Sequence, residues 1–239
     1  MIKLAISGAQ GRMGMRISAL AQEDKEFKLA VLLENKSHPS IGSQVNGITI
    51  KSDPSTVKDA DVLIEFSSPE ATIAHLNECV KNEVKMVIGT TGLTAEQIAE
   101  IKKASTTIPI VFSSNMSVGV NILFSIARQV AEKTKNAYTI KIVEAHHIHK
   151  KDAPSGTAKT LAQIIETASG QKIADIKSIR EGEIIGDHEA TFESDVDTIK
   201  ISHNAKTRDI FAKGALVAAK FLAKQKSGLF DMQDVLGLK

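Results

Sequence analysis

The strongest constraint on the fold is an alternation, across the first half of the chain, of short, predominantly apolar runs with helical stretches. Ile2 to Ser7, Phe27 to Leu33, Val62 to Phe66, Met86 to Ile88 and Ile108 to Phe112 read as strands. Between them, Met13, Ile17, Leu20 and Ala21 share one helical face, and Glu70 to Asn82 and Thr94 to Ser105 carry the helical period. Thr94, with Gln97 three residues on, is a capping-box start. Strand, helix and strand in repetition predict a parallel sheet covered by helices. The strands read as near-continuous apolar runs rather than alternating ones, as a sheet buried on both faces requires.

Beyond Met116 the period changes. Val118 to Lys135 reads as one long helix with Ile122, Leu123, Ile126, Ala127, Val130 and Ala131 on its apolar stripe. A strand at Tyr138 to Glu144 and a helix at Gly156 to Ala168 follow. Alternating, more polar strands at Ala190 to Phe192 and Thr198 to Ser202 come next, then a helix at Ile210 to Lys224. The expected fold class is therefore α/β: a doubly wound parallel sheet joined to an α+β region whose sheet has one face free for another subunit. The length of 239 residues suffices for two such cores.

Composition excludes several functions. A formal net charge of +2 gives no basic surface for nucleic acid or membrane. With no tryptophan and a single tyrosine, Tyr138, there is little for stacking bases. No apolar run approaches the ~18 residues needed to span a bilayer, and the N-terminal run is too short for a signal peptide. The lone Cys79 rules out an internal disulfide and fits a reducing compartment. The expectation is a cytoplasmic protein.

Gly8-Ala9-Gln10-Gly11-Arg12-Met13-Gly14 follows the first strand directly and opens the first helix. Glycines in such a turn permit positive φ and a close backbone approach to a pyrophosphate. The helix N-terminus adds unpaired N–H groups and a positive dipole end. The spacing is G-x-x-G-x-x-G rather than the stricter G-x-G-x-x-G, so the turn alone is weak evidence. It gains weight from Glu34, which ends the second strand twenty residues past Gly14, where a carboxylate can accept hydrogen bonds from a ribose diol. A carboxylate repels a 2′-phosphate, whereas Lys36 can reach one. The expected cofactor is thus NADH or NADPH, with a preference for NADH. Gly89-Thr90-Thr91-Gly92 and Ser113-Ser114-Asn115-Met116 follow the fourth and fifth strands at the same sheet edge. Position allows them to contact the nicotinamide half, and turn chemistry alone explains them equally well.

The densest chemistry runs from Glu144 to Ala158. His146, His147, His149, Lys150 and Lys151 fall within six residues, and Pro154-Ser155-Gly156-Thr157 opens a helix. Helix-start N–H groups and the hydroxyls of Ser155 and Thr157 can hold a carboxylate. Imidazole and ammonium groups can hold it too, or donate protons. Three other readings compete. His147-x-His149 could ligate zinc but has no evident third ligand. A charge run is often only a solvated loop, though a helix mouth directly after it argues for a site. Ser155 lacks the G-x-S-x-G elbow of a nucleophile.

The stretch E-A-H-H-x-H-K-x-D-A-P-S-G-T-A resembles the signature of the 4-hydroxy-tetrahydrodipicolinate reductases. G-x-x-G-R-M-G, V-I-G-T-T-G, S-x-N-M-S-V-G-V-N, Ile184 to His188, His203 to Arg208 and the ending S-G-L-F-D-M-x-D-V-L are similar to that family as well, in order from residue 2 to 236. The resemblance implies a Rossmann-type dinucleotide-binding domain (1–117 with 208–239) and a substrate-binding, tetramer-building domain (118–207). It implies NADH- or NADPH-dependent reduction of 4-hydroxy-tetrahydrodipicolinate on the lysine route, with a small dicarboxylate as substrate and a homotetramer as assembly. It assigns His146 as acid/base and Lys150 as proton donor. His147, Ser155, Gly156, Thr157 and Arg208 fall to substrate carboxylate. Gly8, Ala9, Gln10, Gly11, Arg12, Met13, Glu34, Gly89, Thr90, Thr91, Ser113, Ser114, Asn115 and Met116 fall to the cofactor, and no residue to a metal. Lys141 departs from the acid many members carry, and the segment from Gly170 to Arg180 is short. Two other readings stand beside it: another amino-dicarboxylate dehydrogenase, which would not need the H-H-x-H-K and P-S-G-T pair, and an NADH-sensing regulator, which would want a basic DNA-binding face that the sequence lacks. The family reading requires the imidazole–ammonium loop to face the reactive ring of the dinucleotide.

Overall fold

The computed structural model describes residues 1–239. In chain order its elements are β1 (Ile2–Ser7), α1 (Arg12–Glu23), β2 (Phe27–Leu33), β3 (Gln44–Val45), β4 (Ile48–Lys51), β5 (Val62–Glu65), α2 (Pro69–Lys81), β6 (Lys85–Ile88), α3 (Ala95–Ala104) and β7 (Pro109–Phe112). There follow α4 (Val118–Thr134), β8 (Thr139–His146), α5 (Gly156–Ser169), β9 (Asp175–Arg180), β10 (Asp187–Glu193), β11 (Thr198–Asn204), α6 (Asp209–Ala223), β12 (Gly228–Phe230) and α7 (Met232–Val235). Two compact units result: Met1–Ser117 with Phe211–Gly237, and Val118–Ile210 with Leu238–Lys239.

The first unit holds a sheet ordered β12-β7-β6-β5-β1-β2-β4-β3, parallel except for the edge strand β3. This is the Rossmann-type doubly wound plan that the alternation predicts. Leu4, Ala5 and Ile6 in β1 and Val62, Leu63 and Ile64 in β5 have no exposure, because helices cover both faces. From β1 the chain runs outward through β2 to β4, then returns to the other side of β1 as β5. Strand order therefore reverses between β1 and β5, and ligands of open α/β sheets bind at such a switch point, beyond the carboxyl ends of the strands. The capping box at Thr94 forms as read: its hydroxyl accepts from the Gln97 N–H while the Gln97 side chain accepts from the Thr94 N–H.

The second unit packs α4 and α5 on one face of a four-stranded sheet ordered β11-β10-β8-β9. Opposed residues in a sheet share a face, so its registers build rows across the strands. Ile199, Phe192 and Ile140 form one row; Ile201, Ala190, Ile142 and Ile176 form the next. Phe192 is fully buried there, a contribution of about 2–3 kcal/mol to this core. Two residues further along the strands the same face turns polar: His203, His188, Glu144 and Ser178 form a row, and His146 lies opposite Arg180.

The apolar stripe expected for α4 is corrected. Val120, Leu123, Phe124, Ala127 and Ala131 are buried, while Ile122 and Ile126 are about two-fifths exposed at 41% and 42%. Phe124 packs into the core with Phe192 and Ile140. Seating that larger ring turns the helix toward Val120 and Phe124 and carries Ile122 and Ile126 to its flank.

Candidate active site

In the first unit the turn after β1 is shaped by steric necessity. Gly8 has φ +68, and a Cβ there would stand 2.6 Å from the Phe66 carbonyl oxygen. At Gly14 a Cβ would stand 2.1 Å from the Gly8 carbonyl oxygen, so α1 packs directly against the turn. Glu34 lies at the end of β2, and its carboxylate accepts from the Gln10 N–H (2.9 Å) and the Asn35 N–H (2.9 Å). A cavity of about 500 Å³ opens there, bordered by Gly8, Gln10, Gly11, Glu34, Lys36 and Ser67, among others. It lies beyond the ends of β1, β2 and β5, at the switch point.

Of the residues expected at the cofactor, Gly8, Gln10, Gly11 and Glu34 border this cavity, whereas Ala9, Arg12 and Met13 do not. Nor do Gly89, Thr90, Thr91, Ser113, Ser114, Asn115 and Met116. Gly89 lies against the Phe66 ring, and the buried Thr90 hydroxyl accepts from the Thr72 hydroxyl at 3.0 Å. Sequence reading missed the β5–α2 turn. There the Ser67 hydroxyl donates to the fully buried Glu65, which is also held by His75 Nδ1 at 2.6 Å. Three polar residues beside an apolar strand were its only signal.

In the second unit the polar rows end at the loop Glu144 to Thr157. Glu144 is fully buried, and Arg180 grips it with Nη1 to Oε2 at 3.0 Å and Nη2 to Oε1 at 2.8 Å. Burial would raise the Glu144 carboxyl; hydrogen bonds from Arg180, Ser178 and His146 outweigh that and bring it down to about 2. His146 Nδ1 bonds Glu144 Oε2 directly. Burial lowers the His146 pKa against the pull of Glu144, and the charges of Lys150 and Arg180 lower it further. His188 stands edge-on to His146, ring centroids 5.2 Å apart. Burial, followed by the His146 charge, brings His188 down to about 4, so its ring is neutral near pH 7. Lys150 Nζ pairs with Asp152 at 2.9 Å.

Ser155 caps α5, its hydroxyl accepting from the Ala158 N–H at 3.2 Å and meeting His188 Nε2 at 3.2 Å. Its N–H donates to Glu144 Oε1 at 3.3 Å. The Ser155 groups are thus committed within the protein, and Gly156 begins the exposed helix mouth. His147 is half-buried, with Nδ1 lacking a protein partner; Arg208 is exposed on the approach to α6. No three His, Cys, Asp or Glu side chains are grouped as metal ligands. Sequence reading passed over Arg180 and His188. The spacing of β9 is too polar to announce a strand, and His188 drew notice only as part of a motif.

A switch-point cavity on a Rossmann-type sheet, with a second unit carrying a cluster of histidine, lysine and buried glutamate, is an architecture on which dinucleotide-dependent oxidoreductases are built. Residues 2–116 match the family model described as "Dihydrodipicolinate reductase, N-terminus", and residues 119–236 the one described as "Dihydrodipicolinate reductase, C-terminus". The 4-hydroxy-tetrahydrodipicolinate reductase of Polynucleobacter necessarius subsp. necessarius is 42% identical over 265 aligned positions, covering all of both chains. That of Nitrosomonas eutropha is 41% identical, covering 100% of this chain and 99% of its own. The solved dipicolinate-bound dihydrodipicolinate reductase from Paenisporosarcina sp. TG-14 superposes with a TM-score of 0.84 over 98% of each chain at 22% identity, a likeness of fold. The chain belongs to the dihydrodipicolinate reductase family.

Proposed function

We propose that the chain catalyses the NAD(P)H-dependent reduction of 4-hydroxy-tetrahydrodipicolinate to tetrahydrodipicolinate and water, on the diaminopimelate route to lysine. The observation that carries this reading is the end-to-end similarity to reductases of that name at 42% and 41% identity. The positive φ of Gly8, the helix start behind it and the Glu34 carboxylate suit a pyrophosphate and a ribose diol. Ala9, Arg12, Met13, Gly89 to Thr91 and Ser113 to Met116 complete the proposed cofactor set. A bound reduced nicotinamide supplies the hydride. Glu34 favours NADH, and Lys36 on the same cavity lets NADPH serve as well.

The substrate brings two carboxylates. His147, the α5 mouth at Gly156 and Thr157, and Arg208 hold them, with Ser155 acting by capping the helix that presents those N–H groups. Loss of the substrate's 4-hydroxyl as water leaves a conjugated imine, and hydride addition to it leaves an enamine anion that needs a proton at a second atom. Lys150 is the donor and His146 the acid/base residue, in keeping with the burial of His146 and the adjacent cation. The polar outer face of the β8–β11 sheet, where Lys141 pairs with Glu193 at 2.7 Å, suits a homotetramer contact. A biosynthetic reductase of this kind works in the cytoplasm.

NADH oxidation with freshly generated substrate tests the reading, and a folded sample without turnover refutes it. Lys150→Ala should lower kcat at least 100-fold with the Kd for NADH unchanged, because the lost group acts on the chemical step. A collapse of NADH affinity would move Lys150 to the cofactor site.

A further inference from the structure

The Glu144 carboxylate is saturated. Its Oε1 accepts from Arg180 Nη2 (2.8 Å) and from the Ser155 N–H (3.3 Å); its Oε2 accepts from Arg180 Nη1 (3.0 Å) and from His146 Nδ1. Arg180 reaches further, donating to the carbonyl oxygens of Ile179 (2.6 Å) and Asp152 (2.7 Å). One guanidinium therefore ties the end of β9 to the strand beneath His146 and to the loop that carries Lys150.

A buried carboxylate–guanidinium pair is a poor device for stability alone, since the desolvation of both ions offsets most of their attraction and apolar residues of like volume serve as well. What this pair does provide is direction. An anionic acceptor at Nδ1 keeps a hydrogen on that nitrogen, so only Nε2 is left to take up or release a proton. A Cβ at Gly186 would stand only 3.1 Å from Nε2, so the absence of a side chain there leaves that edge of the ring uncrowded. The charged and titratable groups around the ring are Glu144 on its own strand, Arg180 on β9, His188 on β10 and Lys150 in the loop.

We propose that Glu144 and Arg180 are positioning residues for the reduction: Glu144 fixes the His146 tautomer and ring plane, and Arg180 holds Glu144 ionised while anchoring the Lys150 loop through Asp152. The proposal rests on His146 being the acid/base residue. In each proton transfer the N–H bond at Nε2 breaks or forms, its electron pair remaining on that nitrogen in the neutral ring. The Nδ1 hydrogen stays in place and Glu144 is never protonated. The arrangement matches the logic of a histidine oriented by a buried carboxylate in acyl-transfer triads.

The test compares Glu144→Gln, Glu144→Asp and His146→Gln in kcat, KM, NADH affinity and the pH profile of kcat/KM. Glu144→Gln should lower kcat about 100-fold or more, change KM and NADH affinity less than about threefold, and move the histidine limb of the profile to lower pH. Glu144→Asp should recover at least about a tenth of the lost rate by restoring the anionic acceptor. If His146→Gln leaves rate and profile intact, the acid/base assignment itself fails. If His146→Gln abolishes the limb while Glu144→Gln leaves rate and limb unchanged, the assignment stands and the positioning role is overturned. Nitrogen-15 NMR of the histidines in the unmutated protein gives a reading independent of how the variants fold. A neutral His146 carrying its hydrogen on Nδ1 is expected, and a hydrogen on Nε2 with a bare Nδ1 overturns the proposal.

Discussion

Replacing Gly14 by alanine puts the glycine turn under a defined load. The new Cβ would lie 2.1 Å from the Gly8 carbonyl oxygen and 2.7 Å from the Ala9 Cα, both backbone atoms that cannot rotate away. Ordinary contact begins at 3.4 Å, so the first turn of α1 must retreat by about 1.3 Å. Alanine improves helix propensity by about 1 kcal/mol. Overpacking against rigid backbone costs about 3 kcal/mol. The net destabilisation is about 2 kcal/mol, a fall in melting temperature of roughly 4–8 °C for a chain of this size. The same retreat displaces the N–H groups proposed for the pyrophosphate, so NADH affinity should fall as well. Calorimetric melting of the free protein and fluorescence titration with NADH measure the two effects. Gly11→Ala is the internal comparison for stability: its Cβ would stand 3.1 Å from the same oxygen, which a few tenths of an ångström relieve, so its melting temperature should change little. If Gly14→Ala melts and binds NADH like the unmutated protein, the packing argument for the turn is wrong.

Three further outcomes are expected. His75→Leu removes the imidazole partner of the fully buried Glu65 and leaves only the Ser67 hydroxyl on it, a loss of about 1–3 kcal/mol; an unshifted urea midpoint would deny the pair any structural weight. His188 binds its proton near pH 4 in the folded chain and near 6.5 when unfolded, so the unfolded state holds more protons between those values. Stability should therefore fall by up to about 3 kcal/mol as pH drops from 6.5 to 4 and level off below; His188→Gln should flatten that slope, and an unaltered slope would assign it elsewhere. Glu34→Gln removes the repulsion of a 2′-phosphate and should shift the NADPH-to-NADH affinity ratio about 5–10-fold toward NADPH. A strong NADPH preference in the unmutated enzyme would overturn the role given to Glu34.

Much of the first unit was legible because its determinants are local. Predominantly apolar runs separated by helical periods specify a parallel buried sheet, the Thr94–Gln97 box marks a helix start, and the glycine turn joins the first strand to the first helix. The strands β3, β4, β9 and β12 escaped notice, being short or polar, with pairing supplied by partners remote in sequence. The face of α4 was misjudged for a related reason: its apolar residues wrap more than one stripe, and only the Phe192 core decides which of them are covered.

By itself the sequence determined the order and kind of the main elements, the glycine turn and the histidine–lysine loop, since these depend on neighbours within a few residues. Tertiary structure alone decided which polar side chains meet. Register across β11, β10, β8 and β9 sets His203, His188 and Glu144 in one row and brings Arg180 onto a carboxylate 36 residues away. The physical reason is that a buried charge is tolerable only beside its partner, and that partnership is fixed by strand pairing, which no local period of residues encodes.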